Sequence, residues 1–332
     1  MTTQNTVREA GILGTGHYVP EKVLTNRDFE KILDTTDEWI YSRTGMKERR
    51  IAAPEQATSD LCIEAGRRAI EDSGLQPDQI GLIIVATVTP DHLVPATAPI
   101  VQHALGCVNS GAFDVEAACS GFVTGLSVAQ GLIGNGTLDN VLVIGGECMS
   151  RILDYEDRAS CILFGDGSGA AVVSSTATRG RILQSFVGAD GSGSHTMQVM
   201  AGGSRRPADI AAVQEKMHLL TIKGNDVFKF AVSTFRRLLE QQMRDFDFGP
   251  DGLGLVVPHQ VNYRIIESAL KKLDIPEEKI FMNLEKYGNT SGASVGIALD
   301  EAIRQKRPQE GQYLSLIAFG AGLTWASALL RW

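Results

Sequence analysis

Residues 114–122 read DVEAACSGF, and this stretch is the most informative of the chain. It places Cys119 between small residues, after a strand-like approach and before residues 121–132, which have the character of a helix. At a helix N-terminus, unpaired N–H groups and the helix dipole favour a thiolate, which is the nucleophilic form of cysteine. The small neighbours would let another molecule approach the sulfur. The stretch therefore predicts a nucleophilic cysteine, and the alternative is a small cysteine that only packs in the core.

Two possible partners of this cysteine lie far downstream. His259 stands in VVPHQVN, at the end of the apolar strand-like run 252–257, and Asn289 stands in YGNTSGAS, a small-residue turn before a helix-like stretch. Taken singly, such a histidine is commonly structural and such an asparagine commonly forms a turn. Together with Cys119 they predict one site assembled from distant parts of the chain.

Composition and charge limit the possible classes of protein. The 332 residues are 43% hydrophobic and include 35 glycines, which suits a large, tightly packed α/β protein. Five scattered cysteines without CxxC spacing favour reduced thiols in the cytoplasm over a zinc site or disulfides. The polar start predicts no signal peptide, and no apolar run approaches the roughly 18 residues of a membrane span. A net charge of −8 disfavours nucleic acid, and an acidic protein partner would require a local basic patch.

Strand-like and helix-like segments alternate along the chain, which predicts parallel strands with helices on the faces of the sheet. We predict strands at 80–88, 140–147, 252–257 and 313–318, and helices at 58–74, 121–132, 225–246 and 262–273. The order of strand, small-residue turn, helix and strand occurs once in each half. The break in periodicity at 174–181 predicts a half at 1–177 that carries Cys119 and a half at 178–332 that carries His259 and Asn289. Residues 188–209 are predicted to form a long functional loop.

Several long segments carry a resemblance to a known family. They are GTGHYVPEKVLTN (14–26), TTDEWIYSRTGMKERR (35–50), the Cys119 stretch, FGDGSGAAVV (164–173), VPHQVNYRII (257–266), YGNTSGASVGIALDEA (287–302) and FGAGLTWASALLRW (319–332). The chain resembles the β-ketoacyl-acyl-carrier-protein synthase III family of the thiolase superfamily, almost from end to end. The resemblance implies two similar α/β halves that form a layered αβαβα sandwich. It also implies a decarboxylating Claisen condensation, in which an acyl-CoA starter and malonyl-acyl-carrier protein give 3-oxoacyl-acyl-carrier protein, CoA and CO2.

The family also implies roles for individual residues. Cys119 would carry the acyl group as a thioester, and His259 and Asn289 would donate hydrogen bonds to the enolate oxygen that forms on decarboxylation. The amides of Cys119 and Ala321 would hold the oxyanion of the acyl-transfer intermediate. The positions that match the family's CoA site are Trp39 and Arg158 around the adenine, Arg43 at a phosphate, and Gly224 and Asn262 along the pantetheine.

The remaining expectations concern partners and the starter group. The family docks the acidic carrier protein on a basic patch, matched here by Lys229, Arg264, Lys271 and Lys272. It forms homodimers, holds no metal or other cofactor, and uses acyl-CoA as a substrate. Val94 stands where acetyl-specific members have a phenylalanine that reaches into the partner's acyl pocket, which leaves the choice of starter open. Gly292 and Gly296 replace alanine and proline and are expected to loosen the turn and the helix start slightly.

Three other functions fit the sequence less well than this reaction. A Cys–His hydrolase would need His259 oriented by a carboxylate or an amide, and its flanking sequences match no hydrolase pattern. A carrier-binding protein without activity would lack the nucleophile or a donor, whereas Cys119, His259 and Asn289 are all present. A thiolase proper would carry a second cysteine near the C-terminus, but the last cysteine here is Cys161.

Overall fold

The computed structural model describes residues 7–271, 273–305 and 308–332. Its strands are β1 Gly11–Tyr18, β2 Lys22–Thr25, β3 Glu48–Ile51, β4 Leu82–Ala86, β5 Gly111–Val115, β6 Asn140–Glu147, β7 Gly167–Ser174, β8 Arg181–Ala189, β9 Met197–Gln198, β10 Thr221–Ile222, β11 Leu253–Pro258, β12 Tyr313–Gly320 and β13 Thr324–Arg331. Its helices are α1 Asn26–Phe29, α2 Asp37–Thr44, α3 Thr58–Ser73, α4 Thr97–Leu105, α5 Gly121–Gly134, α6 Arg158–Cys161, α7 Ile210–Gln214, α8 Gly224–Asp245, α9 Tyr263–Leu270, α10 Leu284–Tyr287 and α11 Ser294–Arg304.

Local sequence explains where the elements begin and end. At the start of α3 the Asp60 carboxylate accepts a hydrogen bond from the Ala57 amide (2.8 Å), and the helix ends at Gly74, whose φ of +74° suits glycine. Strand β4 is buried at every position, as expected for an apolar run in a parallel sheet covered on both faces. The eight predicted strands and helices are confirmed, with bounds that shift by at most three residues.

One nine-stranded sheet runs in the order β11-β12-β13-β8-β1-β7-β6-β4-β5. It consists of a first half-sheet (β5, β4, β6, β7, β1) and a second half-sheet (β11, β12, β13, β8), which pair only between Gly11 and Arg181. The first has parallel β5, β4 and β6 followed by antiparallel β7 and β1. The second has parallel β11 and β12 followed by antiparallel β13 and β8. The same pairing pattern thus occurs twice along the chain.

Helices form three layers around these half-sheets. The central helices α5 and α11 contact strands of both half-sheets, whereas α3 and α4 pack on strands of the first half-sheet. Helix α8 packs on β12 of the second half-sheet, and α9 packs on α8. The layered α/β sandwich predicted from the resemblance is therefore confirmed. The 3-10 turns Ala118–Ser120 and Ser291–Ala293 lead into α5 and α11, so the two central helices begin in the same way.

Paired glycines bring the start of α11 close to the first half-sheet. A Cβ built on Gly296 would lie 2.9 Å from the Gly169 carbonyl carbon, and one on Gly145 would lie 2.3 Å from the Gly292 oxygen. Gly296 thus permits a close approach of backbone to backbone, whereas the expectation that Gly292 and Gly296 loosen the turn and the helix start slightly stays a prediction.

The segment 188–209 is a loop only in its second half, because residues 199–209 belong to no helix or strand. It contains the end of β8, the 3-10 turn Gly191–Thr196 and β9, which pairs with β10. This arrangement places Met197 in the wall of the pocket described below.

Candidate active site

Cys119, His259 and Asn289 line one narrow, mostly apolar pocket, although they come from three separate parts of the chain. All three side chains are almost completely buried, with exposed fractions of 5%, 1% and 3%. The other lining residues are Met197, Val227, Phe230, Val261, Phe319, Gly320, Ala321 and Leu323. The structure thus brings together the three predicted catalytic residues and the predicted oxyanion residue Ala321.

The backbone around Cys119 is closely packed against the turn after β12. Ala118 has a φ of +46°, which L-residues seldom adopt. A Cβ built on Gly320 would lie 2.6 Å from the Cys119 nitrogen, so position 320 requires glycine. The Thr324 hydroxyl lies 3.0 Å from the carbonyl oxygens of both Ala117 and Ala321, which ties the two turns together. The amides of Cys119 and Ala321 therefore belong to neighbouring turns that are held in a fixed relation.

The ionisation of Cys119 differs from the sequence-based expectation. Burial raises the pKa of the thiol to about 12, against a smaller lowering by the hydrogen bond to Ser291. The helix that follows begins at Gly121, and the cysteine lies in the preceding 3-10 turn. Burial thus opposes the thiolate that the sequence position favours, because the loss of water destabilises the charged form of the sulfur.

His259 is held as a neutral ring. Burial lowers its pKa from 6.5 to about 3, so the imidazole carries no charge at neutral pH. Its Nδ1 atom lies 2.7 Å from the Ser294 hydroxyl, which also accepts a hydrogen bond from the Gln260 amide (3.4 Å). When the Ser294 hydroxyl donates its hydrogen to Nδ1, the ring hydrogen lies on Nε2. In this tautomer His259 is a neutral donor.

Asn289 is oriented by its own turn. The Ser291 amide donates a hydrogen bond to the Asn289 side-chain oxygen (2.8 Å), which leaves the NH2 group available as a donor. The backbone of Asn289 forms a bridge with the segment before β7, through hydrogen bonds to Leu163 and from Gly165. The turn therefore presents an amide donor from a backbone that is fixed on both sides.

The predicted adenine residues are in contact with one another. The Arg158 guanidinium lies 4.6 Å from the centroid of the Trp39 ring, and Arg43 lies 5.8 Å from it. Arg158 also donates a hydrogen bond to the Asp34 carbonyl. Trp39 is half-buried and both arginines are exposed, so the three form a surface cluster around one indole.

The two predicted pantetheine residues lie at the starts of two helices, α8 and α9. Gly224 begins α8 and is exposed, with no atom within 4 Å of a Cβ built on it. The side chain of Asn262 caps α9, accepting from the Arg264 amide (2.9 Å), and donates to the Arg43 carbonyl (3.2 Å). Asn262 thus links the tip of α9 to the helix that carries Trp39.

The predicted basic patch lies on two packed helices. Lys229 on α8 and Arg264 at the start of α9 are both exposed. Lys271 forms an ion pair with Glu267 at 2.9 Å, which neutralises part of its charge. Lys272 lies outside the described residues.

Val94 does not contact the pocket of its own chain. With Leu93 it forms an exposed apolar tip, at 86% and 82% exposure. Phe113 on the adjacent strand β5, which is an edge of the sheet, is 40% exposed. The structure therefore leaves an apolar surface and an open strand edge on the same side of the first half-sheet.

Glu147, Ser291 and Ser294 lie behind the pocket and had no predicted role. Glu147 is fully buried at the end of β6 and accepts a hydrogen bond from the Ser291 hydroxyl (3.0 Å). Ser291 in turn accepts a hydrogen bond from the Cys119 thiol (3.6 Å). The sequence does place Glu147 directly at the end of a buried apolar strand. An exposed glutamate at a strand end gives the same pattern, so the pattern alone does not predict a buried carboxylate.

Among the residues that the structure describes, no group of three or more histidine, cysteine, aspartate or glutamate side chains could hold a metal ion. Within the same residues, no helix is both long and apolar enough to cross a membrane.

Comparison with family models gives two matches. Residues 113–191 match the model of 3-oxoacyl-[acyl-carrier-protein] synthase III, and residues 243–332 match the model of the C-terminal part of that enzyme. The first range contains Cys119, and the second contains His259 and Asn289.

Individual proteins are similar over almost the whole chain. A β-ketoacyl-[acyl-carrier-protein] synthase III of Caldanaerobacter subterraneus is 51% identical over 97% of this chain and 98% of its own. The crystal structure of 3-oxoacyl-[acyl-carrier-protein] synthase III from Aquifex aeolicus matches with a TM-score of 0.89 and 42% identity, over 97% of this chain and 100% of that one. The priming β-ketosynthase of the R1128 polyketide pathway matches with a TM-score of 0.89 and 34% identity, over 98% and 97% of the two chains.

Proposed function

The chain belongs to the 3-oxoacyl-[acyl-carrier-protein] synthase III family, and we therefore propose that it condenses an acyl-CoA starter with malonyl-acyl-carrier protein. The products are 3-oxoacyl-acyl-carrier protein, CoA and CO2, and the reaction starts the synthesis of a fatty-acid or related chain. The observation that carries the proposal is the meeting of Cys119, His259 and Asn289 in one narrow pocket, where all three side chains are almost completely buried.

In the first half-reaction the Cys119 sulfur attacks the thioester carbonyl of acyl-CoA, and the CoA sulfur leaves. The negative charge on the carbonyl oxygen of the intermediate is held by the amides of Cys119 and Ala321. These amides come from turns that Thr324 ties together, so their geometry is set before the substrate binds.

In the second half-reaction the malonyl group loses CO2, and negative charge develops on its thioester oxygen. The Nε2–H of His259 and the NH2 group of Asn289 donate hydrogen bonds to that oxygen. Neutral donors suit this step, since a buried enolate is stabilised by dipoles that need no reorganisation. Decarboxylation itself supplies the carbanion, so the reaction requires no bound cofactor.

The roles of the three residues can be separated by substitution. His259→Ala and Asn289→Ala should each retain much of the acyl transfer to Cys119 and lose decarboxylation by about a hundred- to a thousand-fold. Single-turnover acylation by acetyl-CoA, followed by peptide mass, measures the first step, and CO2 release from malonyl-carrier protein measures the second. Loss of acylation with normal decarboxylation would reverse the assignment. An acyl group found on Cys62, Cys107, Cys148 or Cys161 would remove Cys119 as the nucleophile.

The CoA nucleotide is proposed to bind at Trp39, with its adenine between the indole and Arg158 and a phosphate at Arg43. An adenine between two planar groups needs about 3.5 Å on each side, or about 7 Å in all. The present separation of 4.6 Å is too short, so Arg158 has to move away from Trp39 for CoA to enter. The planar guanidinium can stack on a purine, and its donors suit phosphate. Gly224 and Asn262 are proposed to lie along the pantetheine.

The carrier protein is proposed to dock on α8 and α9 through Lys229, Arg264 and Lys271, with Lys272 as a further expected contact. These positive charges would attract an acidic partner even though the chain carries a net charge of −8.

A homodimer is proposed to form along β5. Its open edge and the exposed Leu93, Val94 and Phe113 support this surface, because exposed edges and apolar tips are normally covered. In such a dimer Val94 would help to form the floor of the partner's acyl pocket and leave it roomier than a phenylalanine would. The buried free thiols fit the reducing cytoplasm as the place of action.

A further inference from the structure

Glu147 is a buried carboxylate surrounded by donors. Its side chain ends β6 and is 0% exposed. Among the described residues, no lysine, arginine or histidine forms an ion pair with it. Five groups donate hydrogen bonds to its two oxygens: the hydroxyls of Thr87 (3.1 Å), Thr89 (2.7 Å) and Ser291 (3.0 Å), and the amides of Val88 (3.1 Å) and Gly292 (3.3 Å).

This environment favours a carboxylate that can exchange its proton near neutral pH. Burial raises the pKa of Glu147 to about 6, and the hydrogen bonds from its donors limit the rise. The titratable groups that face it are the thiols of Cys62, Cys119 and Cys148, whose pKa values are all raised, mainly by burial and further by its charge. At neutral pH Glu147 is ionised, and its affinity for a proton is far higher than that of an exposed carboxylate.

A directed chain of hydrogen bonds joins Cys119 to this carboxylate. The Cys119 thiol donates to the Ser291 hydroxyl at 3.6 Å, and the same hydroxyl donates to one Glu147 oxygen at 3.0 Å. Ser291 has a φ of +47°, a backbone conformation that L-residues seldom adopt. The fold thus holds a strained residue at the one place where its hydroxyl bridges the nucleophile and the buried acid.

Acylation requires that the Cys119 proton leave, and His259 is the histidine that lines the same pocket. In the tautomer whose Nδ1 accepts from the Ser294 hydroxyl, the Nε2 atom of His259 carries the ring hydrogen and offers no lone pair to the thiol. Ser291 is connected to an acceptor, because its own hydrogen already points at Glu147. The buried thiol therefore has one described hydrogen-bonded route to a base.

We propose that Glu147 accepts the Cys119 proton through Ser291 during acylation and returns it during condensation. This inference rests on the proposed function, and it assigns two residues to its first half-reaction. As the sulfur–acyl bond forms, the thiol proton moves to the Ser291 oxygen and the Ser291 proton moves to Glu147. The departing CoA thiolate takes a proton from solvent.

The second half-reaction restores both groups. Malonyl-carrier protein loses CO2, its carbanion bonds to the acyl carbon, and the bond from that carbon to sulfur breaks. The released Cys119 thiolate takes the proton from Ser291, which is replenished by Glu147. Each turnover takes up one proton from solvent, which is the proton that the CoA thiolate binds. Glu147 is again a carboxylate at the end of the cycle. Glu147 touches no substrate and acts through Ser291 alone.

The decisive variant is Ser291→Ala, because it removes the bridge and keeps the backbone N–H that orients Asn289. Single-turnover acylation by acetyl-CoA is measured from pH 5 to pH 10. For the wild type we expect a rate that rises through about pH 6, where Glu147 ionises, and then stays level. For Ser291→Ala we expect a fall of about a hundred-fold at pH 7 and a rate that then increases tenfold per pH unit, as the thiol must ionise unaided.

Controls separate this route from a structural role. Ser168→Ala removes another buried serine hydroxyl, which donates to the Gly145 carbonyl at 3.0 Å, and should keep both the rate and the pH profile. Uncoupled decarboxylation of malonyl-carrier protein should fall far less than acylation in Ser291→Ala, because that step does not require the Cys119 proton to leave. Glu147→Gln is a second variant, and it should abolish the rise of the acylation rate near pH 6. Its side-chain NH2 group would face the backbone N–H of Val88 or Gly292, so this variant also loses a hydrogen bond.

Each other outcome overturns the inference. A fall in acylation of less than about three-fold in Ser291→Ala would show that the bridge is not used. A larger fall with an unchanged pH profile would assign Ser291 a structural role. A wild-type chain that takes no acyl group from any acyl-CoA would instead refute the proposed function itself.

Discussion

Substituting His259 by glutamine should remove a large part of the acid sensitivity of the fold. His259 is neutral in the folded protein because burial lowers its pKa from 6.5 to about 3. The unfolded chain binds a proton at this ring as the pH falls through 6.5, whereas the folded chain does not. The contribution of the neutral ring to stability is therefore present above pH 6.5 and is lost as the pH falls toward 3.

The size of the effect follows from the difference in proton binding. At pH 5 the unfolded histidine is about 1.5 pH units below its pKa, and each unit corresponds to about 1.4 kcal/mol. The wild type should thus lose about 2 kcal/mol of unfolding free energy between pH 7 and pH 5 through His259 alone. The result depends little on the folded value, since any pKa below about 4 gives nearly the same loss.

Urea denaturation of wild type and His259→Gln at both pH values measures this difference at fixed protein concentration. The control is His103→Gln, whose ring is exposed and is solvated in the folded and unfolded chains alike. We expect the wild type and the control to lose about 2 kcal/mol more than His259→Gln on going to pH 5. Equal losses in all three proteins would mean that His259 takes up a proton in the folded state, and the neutral-donor role proposed for it would fail.

Three further substitutions test other parts of the molecule. Arg264→Glu should raise the KM for malonyl-carrier protein about five- to ten-fold at low salt and leave the rate of acylation by acetyl-CoA unchanged. The control Arg67→Glu on α3 should change neither quantity. Equal loss of activity with both substrates would indicate a structural role for Arg264. The wild type should use acyl-CoA starters of four or more carbons as well as or better than acetyl-CoA, at a few-fold per added carbon, and Val94→Phe should restore a preference for acetyl; a wild type that strongly prefers acetyl-CoA would refute this. In urea denaturation, Gly296→Ala should lower the unfolding free energy by about 1–3 kcal/mol, because its Cβ would overlap strand backbone. Gly131→Ala has open space around the new Cβ and should raise the unfolding free energy by up to about 1 kcal/mol.

Periodicity and motifs were sufficient to predict the main elements and the pocket residues. Strand β6 has the predicted bounds, and the run 82–86 is buried on both faces, because a continuous apolar segment leaves few alternatives. Cys119, His259 and Asn289 were recognisable because each is embedded in a long, unusual segment. Their convergence in one pocket agrees with the prediction, and their roles stay a proposal.

Features that depend on tertiary packing escaped the sequence. The thiol pKa of Cys119 was predicted from the helix that follows it, but the depth of burial decides its direction and is a property of the whole fold. Glu147 and Ser291 are 144 positions apart in sequence, so no local pattern could join them. Gly296 was read as a loose helix start, because sequence alone does not show that Gly169 faces it.

The twofold occurrence of one strand pattern has a consequence for how the chain becomes active. Cys119 enters the pocket from the turn before α5, and Ser291 enters from the equivalent turn before α11, 172 residues later. Contacts so distant in sequence form late, since closing a long loop costs entropy before any contact compensates it. During refolding, helical circular dichroism should therefore recover before Cys119 becomes shielded from alkylating reagents. The loss of Cys119 alkylation would then report when the long-range contacts between the two halves of the chain form.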